Sequence, residues 1–316
     1  MRPIKISVVI PLLNEEESLR ELASRLEQVL TGLAPDAYQV LFIDDGSTDA
    51  SYRVLQELNA QNPRLQALRF RRNYGKSAAL AVGFARAEGE IVITMDADLQ
   101  DDPQELPALC AKLEEGFDLV SGWKKKRYDP WHKTMPSKLF NAVTSRMSGI
   151  RLHDFNCGLK AYRREVVKAL TIYGDMHRYI PALAHWEGFR VTEIPVQHHP
   201  RKFGVSKFGA KRFITGFLDL LTVLFTTKYI KRPLHLFGTI GALLLLIGMG
   251  IESTLTVEWF LGMTYFSNRP LVLLGILLII VGVQLISMGL LGELLVKNSS
   301  AGTAQYLIRE QTPELS

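Results

Sequence analysis

The 316-residue sequence predicts an α/β domain on a mostly parallel sheet, followed by amphipathic interface helices and two transmembrane helices. Three observations carry this. Short β-branched apolar runs alternate with helix-period segments through the first 200 residues. Two long C-terminal runs contain no Asp, Glu, Lys or Arg. The charge is divided by region. Residues 1–120 carry 12 Lys+Arg against 20 Asp+Glu, residues 121–232 carry 22 against 7, and residues 233–316 carry 3 against 5. Hydrophobic residues at 47% and charged residues at 22% exclude a disordered or collagen-like chain. Two cysteines, Cys110 and Cys157, are too few for a disulfide framework or a four-cysteine zinc site.

Ile6–Ile10 reads as the first strand, ending at Pro11, and Glu15–Leu30 as a helix with acidic residues at its positive end. Val40–Ile43 is the next strand, stopped by Asp44-Asp45-Gly46-Ser47. Thr48 or Asp49 caps a helix to about Asn62, and Leu65–Phe70 is the third strand. Gly75–Ala87 is a small-residue helix, Ile91–Met95 a fourth strand, and Pro103–Glu115 a helix with Pro at its start. Leu119–Gly122 resembles another strand. Ligands of such sheets bind beyond the carboxyl ends of the strands.

Polar residues gather at those ends: Asn14 and Glu15 after the first strand, Asp44 and Asp45 after the second, Asp96 and Asp98 after the fourth. Turn and cap roles explain any one of these groups alone. Several carboxylates at one rim are costly without cations. Asp96 and Asp98, two apart at a strand end, suit a hard divalent metal, which takes one or two carboxylates and bridges to substrate phosphates. Asp44 and Asp45 can accept from ribose hydroxyls or a base N–H. No G-x-G-x-x-G follows any strand, which disfavours a dinucleotide fold.

Leu234–Ile251 is an uncharged run of 18 residues and Leu271–Gly292 one of 22, against the roughly 20 needed to cross a bilayer. Lys228, Lys231 and Arg232 precede the first run, and Lys297 and Arg309 follow the second. The positive-inside rule therefore places both termini and the bulk of the chain in the cytoplasm, with no signal peptide expected. Glu293 is expected to pair with a juxtamembrane cation. Gly238, Gly241, Gly248, Gly275 and Gly282 permit close helix packing, and a homo-oligomer with it.

Lys124, Lys125, Lys126, Arg127, Lys133 and Lys138 form one basic cluster, and Arg201, Lys202, Lys207, Lys211 and Arg212 a second. Phe213–Phe225 follows with apolar residues at helical spacing, as in an interfacial amphipathic helix. These clusters suit anionic headgroups, the phosphate of a lipid acceptor and a leaving diphosphate. A solvated face explains most of Lys124–Arg127. Nucleic acid is excluded as a partner by the adjacent spans and the acidic first third. His153, His198 and His199 lack metal-ligand spacing, and Cys157 has no base paired with it in sequence, so structural roles are expected. Trp123 and Trp131 suit a membrane interface.

The segments VVIPLLNEEESL, FIDDGSTD, RNYGKSAAL, TMDADLQDDP, HDFNCGLKAYRR, RKFGVSKFG and MGLLGELL, in that order, resemble glycosyltransferase family 2 with the GT-A fold. With two spans, the chain is similar to its polyisoprenyl-phosphate glycosyltransferases, the group of the dolichol-phosphate mannose synthases and bacterial undecaprenyl-phosphate glycosyltransferases. The resemblance implies a Rossmann-like GT-A catalytic domain over residues 1–204, juxtamembrane helices over 205–232, a transmembrane hairpin over 233–297 and a cytoplasmic tail over 298–316. It implies Mg²⁺ or Mn²⁺ on Asp96, Asp98 and Gln100. Pro11, Leu12, Asn14, Glu15, Asp44, Asp45, Lys76 and Asp96 would bind the nucleotide. Arg127, Lys133, Ser137, Lys138, Arg201, Ser206 and Lys207 would hold the acceptor phosphate. Asp154, Asp98, Arg201 and Lys207 are the implied catalytic set, with Asp154 as a positioning group or weak base.

The implied reaction moves a sugar from a nucleotide sugar, a UDP-sugar such as UDP-glucose first, to undecaprenyl or dolichyl phosphate, with inversion. The place is the cytoplasmic face of a membrane, the bacterial inner membrane first. Two alternatives stand beside it. A processive polysaccharide synthase would carry Q-x-x-R-W and more spans, and neither is present in the sequence. A non-catalytic membrane-anchored nucleotide-sugar-binding protein would have lost a metal carboxylate, and Asp96 and Asp98 are both present.

Overall fold

The structure is a computed structural model. It describes residues 4–125, 141, 144–146, 148–174, 176–200, 233–263 and 270–299. The chain divides into two compact units, Met1–Leu220 and Leu221–Ser316.

The first unit holds a seven-stranded sheet in the order β3-β2-β1-β4-β6-β5-β7. Its strands are β1 (Ile6–Leu12), β2 (Tyr38–Asp44), β3 (Leu65–Arg69), β4 (Ile91–Thr94), β5 (Leu119–Lys124), β6 (Lys160–Arg163) and β7 (Val191–Val196). All run parallel except β6, which is antiparallel to β4 and β5. The mostly parallel sheet expected from the sequence is therefore present, with one reversed strand inside it. The reversal matters for the site. It brings the first residue of β6, Lys160, opposite Thr94 at the carboxyl end of β4.

The helices are α1 (Leu19–Leu33), α2 (Ser51–Gln61), α3 (Lys76–Arg86), α4 (Leu106–Glu114), α5 (Arg164–Ala169) and α6 (Ile180–Trp186). Strand β1 is fully inside, from Val8 to Ile10 at 0% exposure, and the core continues through Phe42, Leu22, Leu26 and Leu109. Such near-continuous apolar strands are what a parallel sheet covered on both faces requires.

Several boundaries differ from expectation. Strand β1 continues through Pro11 to Leu12. Proline removes a ladder donor, yet β4 pairs only with Ile6–Val9, so at Pro11 the strand has one neighbour instead of two. Helix α1 starts at Leu19, not Glu15. Asn14 adopts φ +56°, and the backbone N–H groups of Asn14 and Glu15 go to Ser47 Oγ and Ser51 Oγ, both at 2.9 Å. Pro103–Glu105 is a 3-10 turn capped by Asp102, whose carboxylate accepts Gln104 N–H, and α4 follows it.

In the second unit, α7 (Pro233–Phe260) and α8 (Pro270–Ser299) are both long and apolar enough to cross a membrane. Both exceed the uncharged runs that announced them, because a helix does not end where its apolar stretch ends. They meet through glycines. A Cβ on Gly241 would lie 2.6 Å from Gly282 O, and one on Gly248 would lie 2.7 Å from Gly275 O. These glycines are thus used within the hairpin. The proposed amphipathic helix at Phe213–Phe225 lies outside the described residues.

Candidate active site

The carboxyl ends of β1, β2 and β4 form a rim, and each turn that follows is held by its own side chains. Asp44 is fully buried; its Oδ1 accepts Ser47 N–H at 2.7 Å, and its Oδ2 lies 3.5 Å from Arg69 Nε. Asp45 clamps the start of α3, accepting Tyr74 N–H at 2.7 Å and Gly75 N–H at 2.9 Å. Asn14 Oδ1 accepts Thr48 N–H at 2.8 Å. Glu16 Oε2 accepts Ala50 N–H at 2.7 Å. The loops after β1 and β2 are therefore stitched into one surface before any ligand arrives. Leu12 is buried beneath it.

Next to this surface is a small cleft lined by Pro11, Lys76, Thr94, Asp96, Asn156, Gly158, Lys160, Tyr162 and His177, among others. Asp96 is its acid. Lys76 Nζ donates to Asp96 Oδ1, each side chain being about a third exposed (34% and 32%). Gly158 backs the carboxylate: a Cβ there would sit 2.5 Å from Asp96 Oδ2. Burial alone would push the Asp96 carboxyl up. The Lys76 ammonium, with Lys124 and Lys160 behind it, overrides this and holds it at about 2.

Beneath the cleft lies a layer of buried ionic groups. Lys160 is 3% exposed and donates to Cys157 O. Burial pushes its ammonium below the ordinary lysine value. Lys124 pairs with Asp101 at 2.9 Å; burial opposes its charge, and Asp101 more than restores it. Thr94 Oγ1 donates to Gly158 O at 2.8 Å, fixing the segment that faces Asp96. His177 Nδ1 lies 2.9 Å from Ser77 Oγ, which also accepts His177 N–H at 3.1 Å. Burial, then the cations Lys76, Arg178 and Lys160, push its imidazole down to about 2, so it is neutral.

Asp98 is 7% exposed and does not line this cleft; its Oδ1 accepts Gln100 N–H at 3.2 Å. The Gln100 amide points to His198 Nε2 and His199 O, each at 3.4 Å. Asp154 is 1% exposed, and its Oδ1 accepts Asn156 N–H at 3.1 Å. Among the described residues no three His, Cys, Asp or Glu side chains gather as a metal cage. The fit to a divalent cation rests instead on Asp96. It is ionised, faces a cleft, and already holds a positive charge in the form of Lys76. A magnesium-like ion needs only one or two protein carboxylates when phosphates supply the rest.

Of the residues singled out in the sequence, Pro11, Lys76 and Asp96 meet in the cleft. Asn14, Glu15, Asp44 and Asp45 form its stitched margin. Arg127, Lys133, Ser137, Lys138, Arg201, Ser206 and Lys207 lie outside the described residues. Sequence reasoning missed Lys160 and His177. Lys160 lies inside the HDFNCGLKAYRR segment, at the head of an unrecognised reversed strand. His177 has no local signal, because its partner is 100 residues away. His153, assigned no ligand role, stacks on Trp123 at 4.1 Å and pairs with Glu193. Both cysteines are free and buried, and burial pushes the Cys157 thiol up to about 12.

The comparisons with known proteins agree with this fold. Residues 7–171 match the glycosyl transferase family 2 profile. The dodecaprenyl-phosphate galacturonate synthase of Rhizobium johnstonii is 34% identical over 317 residues, covering 98% of this chain and 94% of that protein. Among solved structures, glucosyl-3-phosphoglycerate synthase from Mycobacterium tuberculosis with phosphoglyceric acid aligns at TM-score 0.52 and 22% identity, over 69% of this chain and 80% of that one. The same enzyme with Mn²⁺, UDP-glucose and phosphoglyceric acid aligns at TM-score 0.53 and 20% identity, over the same shares. At that identity the likeness shows the fold.

Proposed function

This chain belongs to glycosyl transferase family 2, and on that premise we propose that it transfers a sugar from a nucleotide sugar to a polyprenyl phosphate at a membrane face. The observation that carries this reading is the length of one match. It runs over 98% of the chain, both apolar helices included, to a protein named for a polyprenyl-phosphate sugar product. A UDP-linked hexose is the proposed donor. Glucose is the choice from the sequence, and galacturonate is the sugar in the relative's name. The basic flanks of the two spans support a cytoplasmic site and cytoplasmic termini.

The chemistry asks little of the protein. A phosphate monoester has its second pKa near 6, so the acceptor oxygen is already ionised at neutral pH. A strong base is not needed, which suits Asp154 as a positioning group whose carboxylate also holds the turn at Asn156. Asp96 would hold a divalent cation that neutralises charge on the departing diphosphate, and Asp98 and Gln100 would join it only by turning from the partners they have here. Lys76 and the positive end of α3 face the same departing charge. Neutral His177 can offer a hydrogen bond beside Asp96 without repelling the nearby lysines. The acceptor phosphate attacks the anomeric carbon opposite the diphosphate, inverting that centre. Arg127, Lys133, Ser137, Lys138, Arg201, Ser206 and Lys207 are the proposed acceptor-phosphate residues.

The test is incubation of the purified full chain with labelled UDP-glucose or UDP-galacturonate, undecaprenyl phosphate and Mg²⁺. A chloroform-soluble, mild-acid-labile labelled lipid is expected from one of the two donors. A long water-soluble polymer would mark a processive synthase. Retained nucleotide with no transfer from any donor would mark a binding protein, and either outcome would overturn the proposal.

A further inference from the structure

Lys76 occupies an unusual place. It is the first residue of α3, where the helix dipole disfavours a cation. Its backbone is pinned by Asp45, which holds the N–H groups of Tyr74 and Gly75, and Gly75 takes φ +93° to make the turn. From that fixed base the ammonium reaches Asp96. Among the described residues, the other two lysines near Asp96 have fixed partners: Lys124 on Asp101 and Lys160 on Cys157 O. They are also far less exposed, the Lys124 side chain at 14% and Lys160 at 3%. Among the described residues, Lys76, about a third exposed, is the lysine able to leave.

A divalent cation on Asp96 and an ammonium on the same carboxylate would stand within a few ångströms of each other. At that separation the doubly charged ion repels the ammonium by more than the ammonium gains from the shared carboxylate. Loading the cation must therefore dislodge Lys76. The dislodged ammonium then stands beside the positive N-terminus of α3, so it needs a new anion. The donor's diphosphate is the anion that arrives with the cation.

We propose that Lys76 is a built-in counter-cation that competes with the divalent cation for Asp96 and yields only when the donor diphosphate arrives to receive its ammonium. This rests on the reading of Asp96 as a cation carboxylate. It makes cation binding and diphosphate binding mutually reinforcing, as a linkage between two ligands at one site. The empty protein is kept from collecting stray metal, and the ion pair keeps Asp96 charged and oriented meanwhile.

The test is Mn²⁺ binding to the purified full chain, followed by the electron paramagnetic resonance signal of free Mn²⁺, with and without UDP. The Mn²⁺–UDP complex in solution is subtracted from its own titration. Lys76→Met is expected to bind Mn²⁺ at least about fivefold tighter than wild type without UDP, since a repelling charge is gone. Its affinity should then gain less from UDP than that of wild type. Lys76→Arg, which keeps the charge, should show no such tightening. Equal or weaker Mn²⁺ binding by Lys76→Met overturns the proposal, as does equal tightening in Lys76→Arg. Asp96→Asn separates the two layers. Loss of Mn²⁺ binding there, with no change in Lys76→Met, defeats the counter-cation alone. Unchanged Mn²⁺ binding in Asp96→Asn defeats the assignment of Asp96 and the counter-cation with it. Melting temperature gives the folding control: without metal Lys76→Met should melt lower than wild type, and Mn²⁺ should narrow the gap.

Discussion

Gly158 illustrates how much of the site depends on a missing atom. An added methyl group would meet the Asp96 carboxylate at 2.5 to 2.8 Å, so either the carboxylate or the turn must shift. Gly158→Ala should lower transfer by at least about tenfold, because a small misplacement of a reacting constellation is expensive. Its melting temperature should change little, since Asp96 is part exposed and can rotate. Full activity in that variant would show that Asp96 need not stand where it does. His177 makes a second prediction at this scale. Burial, with Lys76, Arg178 and Lys160 around it, keeps the folded imidazole neutral down to about pH 2, whereas the unfolded one takes a proton near 6.5. The folded pKa is depressed, so the stability it contributes is present above pH 6.5 and is lost as pH falls below it. The linkage is about 1.4 kcal/mol per pH unit for one proton. Thermal melts from pH 7 to 5 should show wild type losing more stability than His177→Phe; parallel curves would contradict the burial argument. The acids at the strand ends were legible in the sequence because turns and ligand rims both follow strands. Their partners were not. Asp45 spends both oxygens on α3, and Lys76 reaches Asp96 across 20 residues of chain, which no local pattern displays.

At the scale of elements, strands β1 to β5 and the helices between them were legible because each has its own period and its own stop. Strand β6 was not. It has four residues, Lys160 to Arg163, and opens on a buried lysine, so its pattern does not read as apolar. Only pairing with β4 and β5 makes it a strand. The start of α1 was misread for a related reason: acidic residues suit a helix start, but Glu15 and Glu16 give their N–H groups to Ser51 and Asp49 across the rim. The α7–α8 hairpin supplies the prediction for this scale. Gly241→Val would drive a side chain into Gly282 O, a strain of about 1–3 kcal/mol. Gly250, with nothing within 4 Å of an added Cβ, is the control on the same helix. Gly241→Val in detergent should melt lower than wild type and Gly250→Val should not. Equal melting of the two variants would remove the glycine contacts from the packing.

For the whole molecule, the division of charge is the most informative feature of the amino-acid sequence. An acidic region supplies the rim at the strand ends, a basic region follows it along the chain, and a sparsely charged region supplies two helices of membrane length. Each region suits one participant in the proposed transfer: a metal-bearing donor, an anionic acceptor and the bilayer that carries it. The sugar was not legible, because hexoses differ by one or two hydroxyl-directed contacts and no sequence pattern encodes those. The central claim is narrower: the carboxylates after β4 hold the cation that carries the donor diphosphate. The most direct measurement is anomalous scattering at the manganese edge from crystals of the full chain grown with Mn²⁺ and UDP. A strong peak in direct coordination with Asp96, and shared with the diphosphate, is the predicted result. A manganese peak elsewhere, with UDP bound and Asp96 still on Lys76, would contradict the account.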